Sequence, residues 1–218
     1  VAALIDAHRR RWPASLAVLV VLVAQLLVLP SRVAVGPSWL LPALQAVLLS
    51  PLVISNPVAL VNDHPVLRIV AITSAVTVAV GGAATLLHLI VLLSDGVDLA
   101  PGRLFTTGVV LLATNIVSIA VLLWELDRGG PFARDPSHRR EADAPDLLFT
   151  QMSLEDPDAG GWRPGFLDYL FVAFTISTAF SPTDTMPLTG RAKVVFMLGA
   201  LVAVATIAIV AARAVNLL

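Results

Sequence analysis

Six apolar stretches alternate with polar breaks along the chain: Ala14–Leu29, Ser38–Ile54, Ile69–Leu93, Leu104–Trp124, Gly165–Phe180 and Ala192–Ala212. Each approaches the roughly 20 apolar residues that carry a helix across a bilayer. The breaks are Asn56–Arg68, Ser94–Arg103, a long segment over residues 125–163, and a hinge, Ser181–Pro187. His8-Arg9-Arg10-Arg11-Trp12-Pro13 opens the first stretch with a basic cluster, an interfacial Trp and a Pro suited to a first helical turn. The length of that stretch, with no small-x-small site after it, reads as a retained helix rather than a cleaved leader. The second stretch carries Pro42 and Pro51, so it is expected either to span or to form a kinked or re-entrant segment.

Composition agrees. The 218 residues are 57% hydrophobic and 13% charged, and mean hydropathy is +0.88. Soluble domains carry about 25% charged residues, so a soluble enzyme and a disordered chain are both excluded as classes. The expectation is an all-α integral membrane protein of about six transmembrane helices in a bacterial inner (plasma) membrane. There is no cysteine, which removes disulfides, thiolate metal sites and cysteine nucleophiles. The histidines (His8, His64, His88, His138) are scattered, so no metal or other cofactor is expected. A net charge of −1 gives nucleic acid no purchase.

The charge is concentrated. Residues 125–163 hold 14 of the 29 charged side chains and read as a solvated loop. The chain divides into a basic N-terminus (1–13), a four-helix membrane region (14–124), the charged loop (125–163) and a C-terminal helix–hinge–helix module (164–218). Lys and Arg mark the cytoplasmic side. Six full crossings with both termini cytoplasmic put 10 basic residues inside and 4 outside, namely Arg32, Arg103, Arg191 and Lys193. The competing layout drops the second stretch as a span and makes Gly165–Phe180 a re-entrant pore helix. It leaves 5 inside and 9 outside, so six crossings are preferred.

Polar residues within spans show which faces turn inward. Ser74, Thr77, Gly81, Thr85 and His88 share one face of the third span. That face is either a helix-packing seam or the lining of a polar path with His88 as its titratable group. Asn115 in the fourth span is expected to hydrogen-bond a neighbouring helix, as are the isolated Gln25 and Gln45.

The densest hydroxyl cluster lies at the end of the fifth stretch: Thr175, Ser177, Thr178, Ser181, Thr183 and Thr185, with Asp184 beside them. Such oxygens can replace part of a cation's hydration shell. Equally, Ser181-Pro182 can simply stop one helix while Thr183, Asp184 or Thr189 caps the next. Ser177-Thr178, then Asp184, Pro187-Leu188-Thr189, Gly190-Arg191 and an apolar helix resemble the pore region of tetrameric potassium channels. Ala179-Phe180-Ser181-Pro182-Thr183 stands where that family has its Gly-Tyr-Gly filter, and no glycine is there to tolerate the filter's backbone angles. Over residues 168–217 the chain also resembles a bacterial polytopic membrane family, domain of unknown function 1345. The resemblance rests on Asp168-Tyr169 through Ile176, Thr183-Asp184, Arg191, Lys193 and Ala214-Val215-Asn216-Leu217. It implies a six-helix membrane protein and supplies no activity.

The functional expectation is an ion channel or channel-like permeation protein, cation-conducting, with its mouth at residues 175–185. Its partners would be the bilayer, inorganic ions and further copies of itself. A small proton-coupled transporter using His88 and Asn115, or a scaffold subunit docking through the charged loop, are the alternatives. No nucleophile–base pairing for an intramembrane enzyme is visible.

Overall fold

The computed structural model describes residues 12–29, 33–55, 65–131, 133–134, 144–153, 162–181 and 184–215. Among them are six α-helices: α1 (Trp12–Val28), α2 (Leu40–Ser55), α3 (Pro65–Ser94), α4 (Pro101–Leu126), α5 (Phe166–Thr178) and α6 (Gly190–Val215). Two three-residue strands, β1 (Leu147–Phe149) and β2 (Thr185–Pro187), complete the fold. The chain is thus all-helical in character, and α3, α4 and α6 are long and apolar enough to cross a membrane. The others are shorter, with 17 residues in α1, 16 in α2 and 13 in α5.

Helix α4 is the centre. It packs against α1, α3, α5 and α6, and 61% of its apolar window is buried against 28% for α3 and 22% for α6. Two apolar clusters mark the bundle's ends. Ala14, Ala71, Trp124, Phe166, Tyr169 and Ala192 gather at one, here the loop end. Val33, Leu86, Leu89 and Leu104 gather at the other, the far end. Helix α1 leaves the loop end, α2 returns, α3 leaves and α4 returns.

Helix α5 breaks the alternation. Its first residue, Phe166, stacks edge-on against Trp124 at the loop end, with ring centroids 5.7 Å apart. Ser177, one residue from its end, meets Asn115 of α4. Asn115 lies 11 residues before Leu126 and 14 after Pro101, about 17 and 21 Å along a helix rising 1.5 Å per residue. So α5 reaches only half-way along α4. The chain then reverses: Ala179 caps the helix and Phe180 takes φ of 54°, the left-handed geometry that ends many helices and usually calls for glycine. By Thr185 it is back at the loop end. There β2 pairs antiparallel with β1 (Leu147↔Pro187, Leu148↔Met186, Phe149↔Thr185). Phe149 in turn packs edge-on against Tyr169 in the first turns of α5, at 5.4 Å.

Helix α6 starts from that same end and runs the bundle's full length. Asn115 meets Gly199, Gly108 is flush against Val210, and Arg213 reaches Asp98 at 3.2 Å. Six strictly alternating passes would put Arg191 and the 125–163 loop at opposite ends and bring residue 213 back to the end where α1 begins. The structure does neither, because α5 turns back and so α5 and α6 run parallel.

Candidate functional site: a half-length helix on a buried charged base

The base of α5 is built from residues that the sequence pattern assigns to a solvated loop. Asp127, in the 3-10 turn ending α4, is fully buried. The Tyr169 hydroxyl donates to its Oδ2 at 2.6 Å, and the backbone N–H of Asp146 to its Oδ1 at 2.8 Å. Arg134 Nη1 donates to the carbonyls of Trp124 and Asp127 at 2.8 and 2.7 Å, closing the open end of α4 with a cation where the helix dipole is negative. Its guanidinium lies 5.1 Å from the centre of the Tyr169 ring. Arg163 donates to the Arg134 carbonyl.

Asp146 is the second node. Arg191 grips it with two hydrogen bonds, Nε to Oδ1 at 2.6 Å and Nη2 to Oδ2 at 2.5 Å. Thr189 donates to Oδ1 at 2.6 Å and the Arg128 N–H to Oδ2 at 3.2 Å. Burial works against the charged carboxylate, but these donors and the Arg191 charge outweigh it and hold the Asp146 pKa below the ordinary value. The two aspartates therefore tie together the end of α4, the loop, the start of α5 and the start of α6. Sequence reasoning missed this base because charge density was read as solvation. The available signal was the apolar triplet Leu147-Leu148-Phe149 inside the charged stretch, which has to return to a core.

The hydroxyl cluster divides in two. Thr175 is buried and donates to the Val172 carbonyl. Ser177 is fully buried and accepts from Asn115 Nδ2 at 3.3 Å. These two point into the bundle. Thr178, Ser181 and Asp184 are exposed. Thr178 donates to the Phe174 carbonyl at 2.8 Å, leaving its oxygen lone pairs outward. The carbonyl of Asp184 accepts from Thr150 at the loop end. Thr183 lies outside the described residues. The exposed set thus runs from Thr178, next to the mid-length Ser177, to Asp184 at the loop end.

The other polar candidates serve packing. Asn115 Nδ2 also donates to the Gly199 carbonyl at 2.9 Å, joining α4 to α6. His88 Nδ1 sits 3.1 Å from the Val33 carbonyl and ties α3 to the turn after α1. On the same face Gly81 lies against Leu41 of α2, and Thr85 donates to the Gly81 carbonyl, so that face is a seam. Gln45 and Gln25 are not isolated from each other. Gln45 donates to Gln25 at 3.3 Å, Gln25 donates to Thr114 at 3.2 Å, and Thr114 donates to the Val110 carbonyl. Among the described residues no group of three His, Asp or Glu side chains is placed to hold a metal.

No family model, curated protein or solved structure matches the chain. Its chemistry is therefore read from its own geometry.

Proposed function

We propose that this chain is a subunit of a cation-permeation protein in which α5 dips into the bilayer from the loop end and turns back at mid-depth. One observation carries the reading: α5 ends level with Asn115, the middle of α4, and the chain returns to β2 beside its own starting point. A helix held this way aims the negative end of its dipole at the centre of the bundle, where it favours a cation. Beyond that end the exposed, oxygen-bearing side chains follow in order, Thr178 next to the buried Ser177, then Ser181, then Asp184 near the entrance. The likeness to a potassium-channel pore region supports the same order of parts, helix then return strand then full-length helix. Phe180 rather than glycine makes the turn, so the return segment is not that family's filter.

The described basic residues at the loop end are Arg68, Arg128, Arg134, Arg163, Arg191 and Lys193, against Arg103 and Arg213 at the far end. The positive-inside rule then faces the loop end to the cytoplasm, and α5 enters from that side. A proton-coupled path through His88 and Asn115 has less support, since both side chains are engaged between helices.

The test is flux of monovalent cations into liposomes holding the purified protein. Cation flux above that of empty vesicles is expected, reduced several-fold by Asp184→Asn. Flux equal to that of empty vesicles would sink the proposal and favour a scaffold role.

A further inference from the structure

We infer that water enters the bundle from the far end and is held by Gln45 at mid-depth, which makes the cavity between α1, α2 and α3 the far-side approach to the passage. That role rests on the permeation reading, whereas the cavity stands on separate observations. Its rim lies in residues 34–38, between α1 and α2, where Val35, Pro37 and Ser38 are exposed. Its floor is polar, lined by the buried Gln25, Gln45 and Thr85. Gln25 bonds Thr114, which lies 13 residues after Pro101, about 20 Å along α4. The floor is therefore at the middle of the bundle. Helix α5 stops at the neighbouring Asn115, so it and Asp184 account for the loop-end half only.

The chemistry of the floor names the occupant. Thr114 gives its proton to the Val110 carbonyl and so accepts from Gln25, which in turn accepts from Gln45 Nε2. Gln45 is 1% exposed, and its Oε1 has no partner among the described residues. Thr85 has likewise spent its proton on the Gly81 carbonyl, which leaves its oxygen lone pairs. Acceptors of this kind take a hydrogen-bond donor and repel an anion. The cavity, about 20 Å³, suits one molecule the size of water, and Gln45, Gln25 and Thr85 supply the two to four polar partners that a buried water needs. No charged side chain lines it, so a resident ion would meet no counter-charge to offset its lost hydration. Water is the occupant, and the oxygens that hold it replace part of the shell of a monovalent cation in transit.

The chain has no cysteine, so any introduced thiol is unique. Leu41 lies on the cavity wall against Gly81, and Leu41→Cys places a thiol there while keeping Gln45. Val80→Cys is the control, beside Gly81 at the same depth but turned outward and 62% exposed. Silver ion, a thiol-reactive monovalent cation, is applied from the far side of sealed, oriented vesicles. Thiols left unreacted are counted with a maleimide after denaturation. Leu41→Cys is expected to react at least several-fold faster than Val80→Cys. Equal rates, or faster reaction from the loop side than from the far side, would overturn water entry from the far end. Adding Gln45→Leu to Leu41→Cys should slow the reaction several-fold, with the melting temperature reporting that the fold is kept. An unchanged rate in that double variant would overturn the role of Gln45. Flux absent while both thiol results hold would remove the permeation reading and leave the wet cavity standing. Flux present with Leu41→Cys unreactive would remove the cavity and leave permeation.

Discussion

At the scale of single residues, the buried glutamines give the clearest test of how polar groups hold this bundle. The Thr114 hydroxyl is committed to the Val110 carbonyl, so its lone pair faces Gln25 and fixes that amide's direction. Gln25 must then accept from Gln45, which turns Gln45 Oε1 away, buried and with no partner among the described residues. Thr114→Val keeps shape but strands the Gln25 donor, and should cost about 1–3 kcal/mol. Gln45→Leu strands the Gln25 acceptor but removes another orphan, and should fall within about 1 kcal/mol of wild type. Thermal unfolding in one detergent compares them. Asp146 gives a pH test. Its folded pKa is lowered, so its stabilisation is fully present above the unfolded value, about 3.9, and is lost as pH falls through the folded value. Asp146→Asn should cost roughly 1–3 kcal/mol at neutral pH, less than a fully buried pair because Arg191 is half exposed. It should also flatten the acid loss of melting temperature below about pH 4. An Asn variant that melts and responds to acid like wild type would show the Arg191 grip to be idle.

At the scale of elements, close approach matters more than hydrophobicity. A Cβ on Gly199 would collide with Ile119 of α4, and Asn115 donates to the Gly199 carbonyl at the same point. Gly199→Val should push α6 off α4, lose the Asn115 bond and destabilise by about 2 kcal/mol or more through overpacking and a lost buried hydrogen bond. Gly190→Val, where a Cβ meets open space, should be far milder. Expression yield and melting temperature of the two variants report the difference. The positions of α1, α3, α4 and α6 were legible within a few residues, because a long apolar run has one outcome in a bilayer. The small, polar face on α3 was legible as a face that turns inward, though not as a seam rather than a path, and the interhelical bond of Asn115 was legible as the ordinary use of an amide inside a span. The hydroxyl cluster was legible as a cluster but not as two sets, since the bundle-facing Thr175 and Ser177 differ from Thr178 and Ser181 only by helix rotation. Least legible was the base of α5. Only the apolar triplet Leu147-Leu148-Phe149 hints at a buried return, and it names no partner for Asp127 or Asp146, because Tyr169 and Arg191 lie more than 40 residues away.

At the scale of the whole molecule, one short helix decides the topology. Apolar length could not show whether residues 165–180 cross or return, because counting basic residues depended on that very answer. Arg191 belongs opposite the loop only if α5 crosses. The ion pair with the buried Asp146 settles which end of the bundle Arg191 occupies, and the parallel course of α5 and α6 follows. The two layouts differ sharply in one respect. Six crossings put Asp184 on the same membrane face as Asp98 and opposite Gln151. The observed fold puts Asp184 beside Thr150 and puts Asp98 at the far end with Arg213. Single cysteines at Gln151, Asp184 and Asp98 in sealed, oriented vesicles separate the two with an impermeant thiol reagent. Gln151→Cys and Asp184→Cys should label from one face and Asp98→Cys from the other. If Asp184→Cys instead labels together with Asp98→Cys, α5 crosses, the Asp146–Arg191 pair cannot form in the bilayer, and the dipping helix on which permeation depends is lost with it.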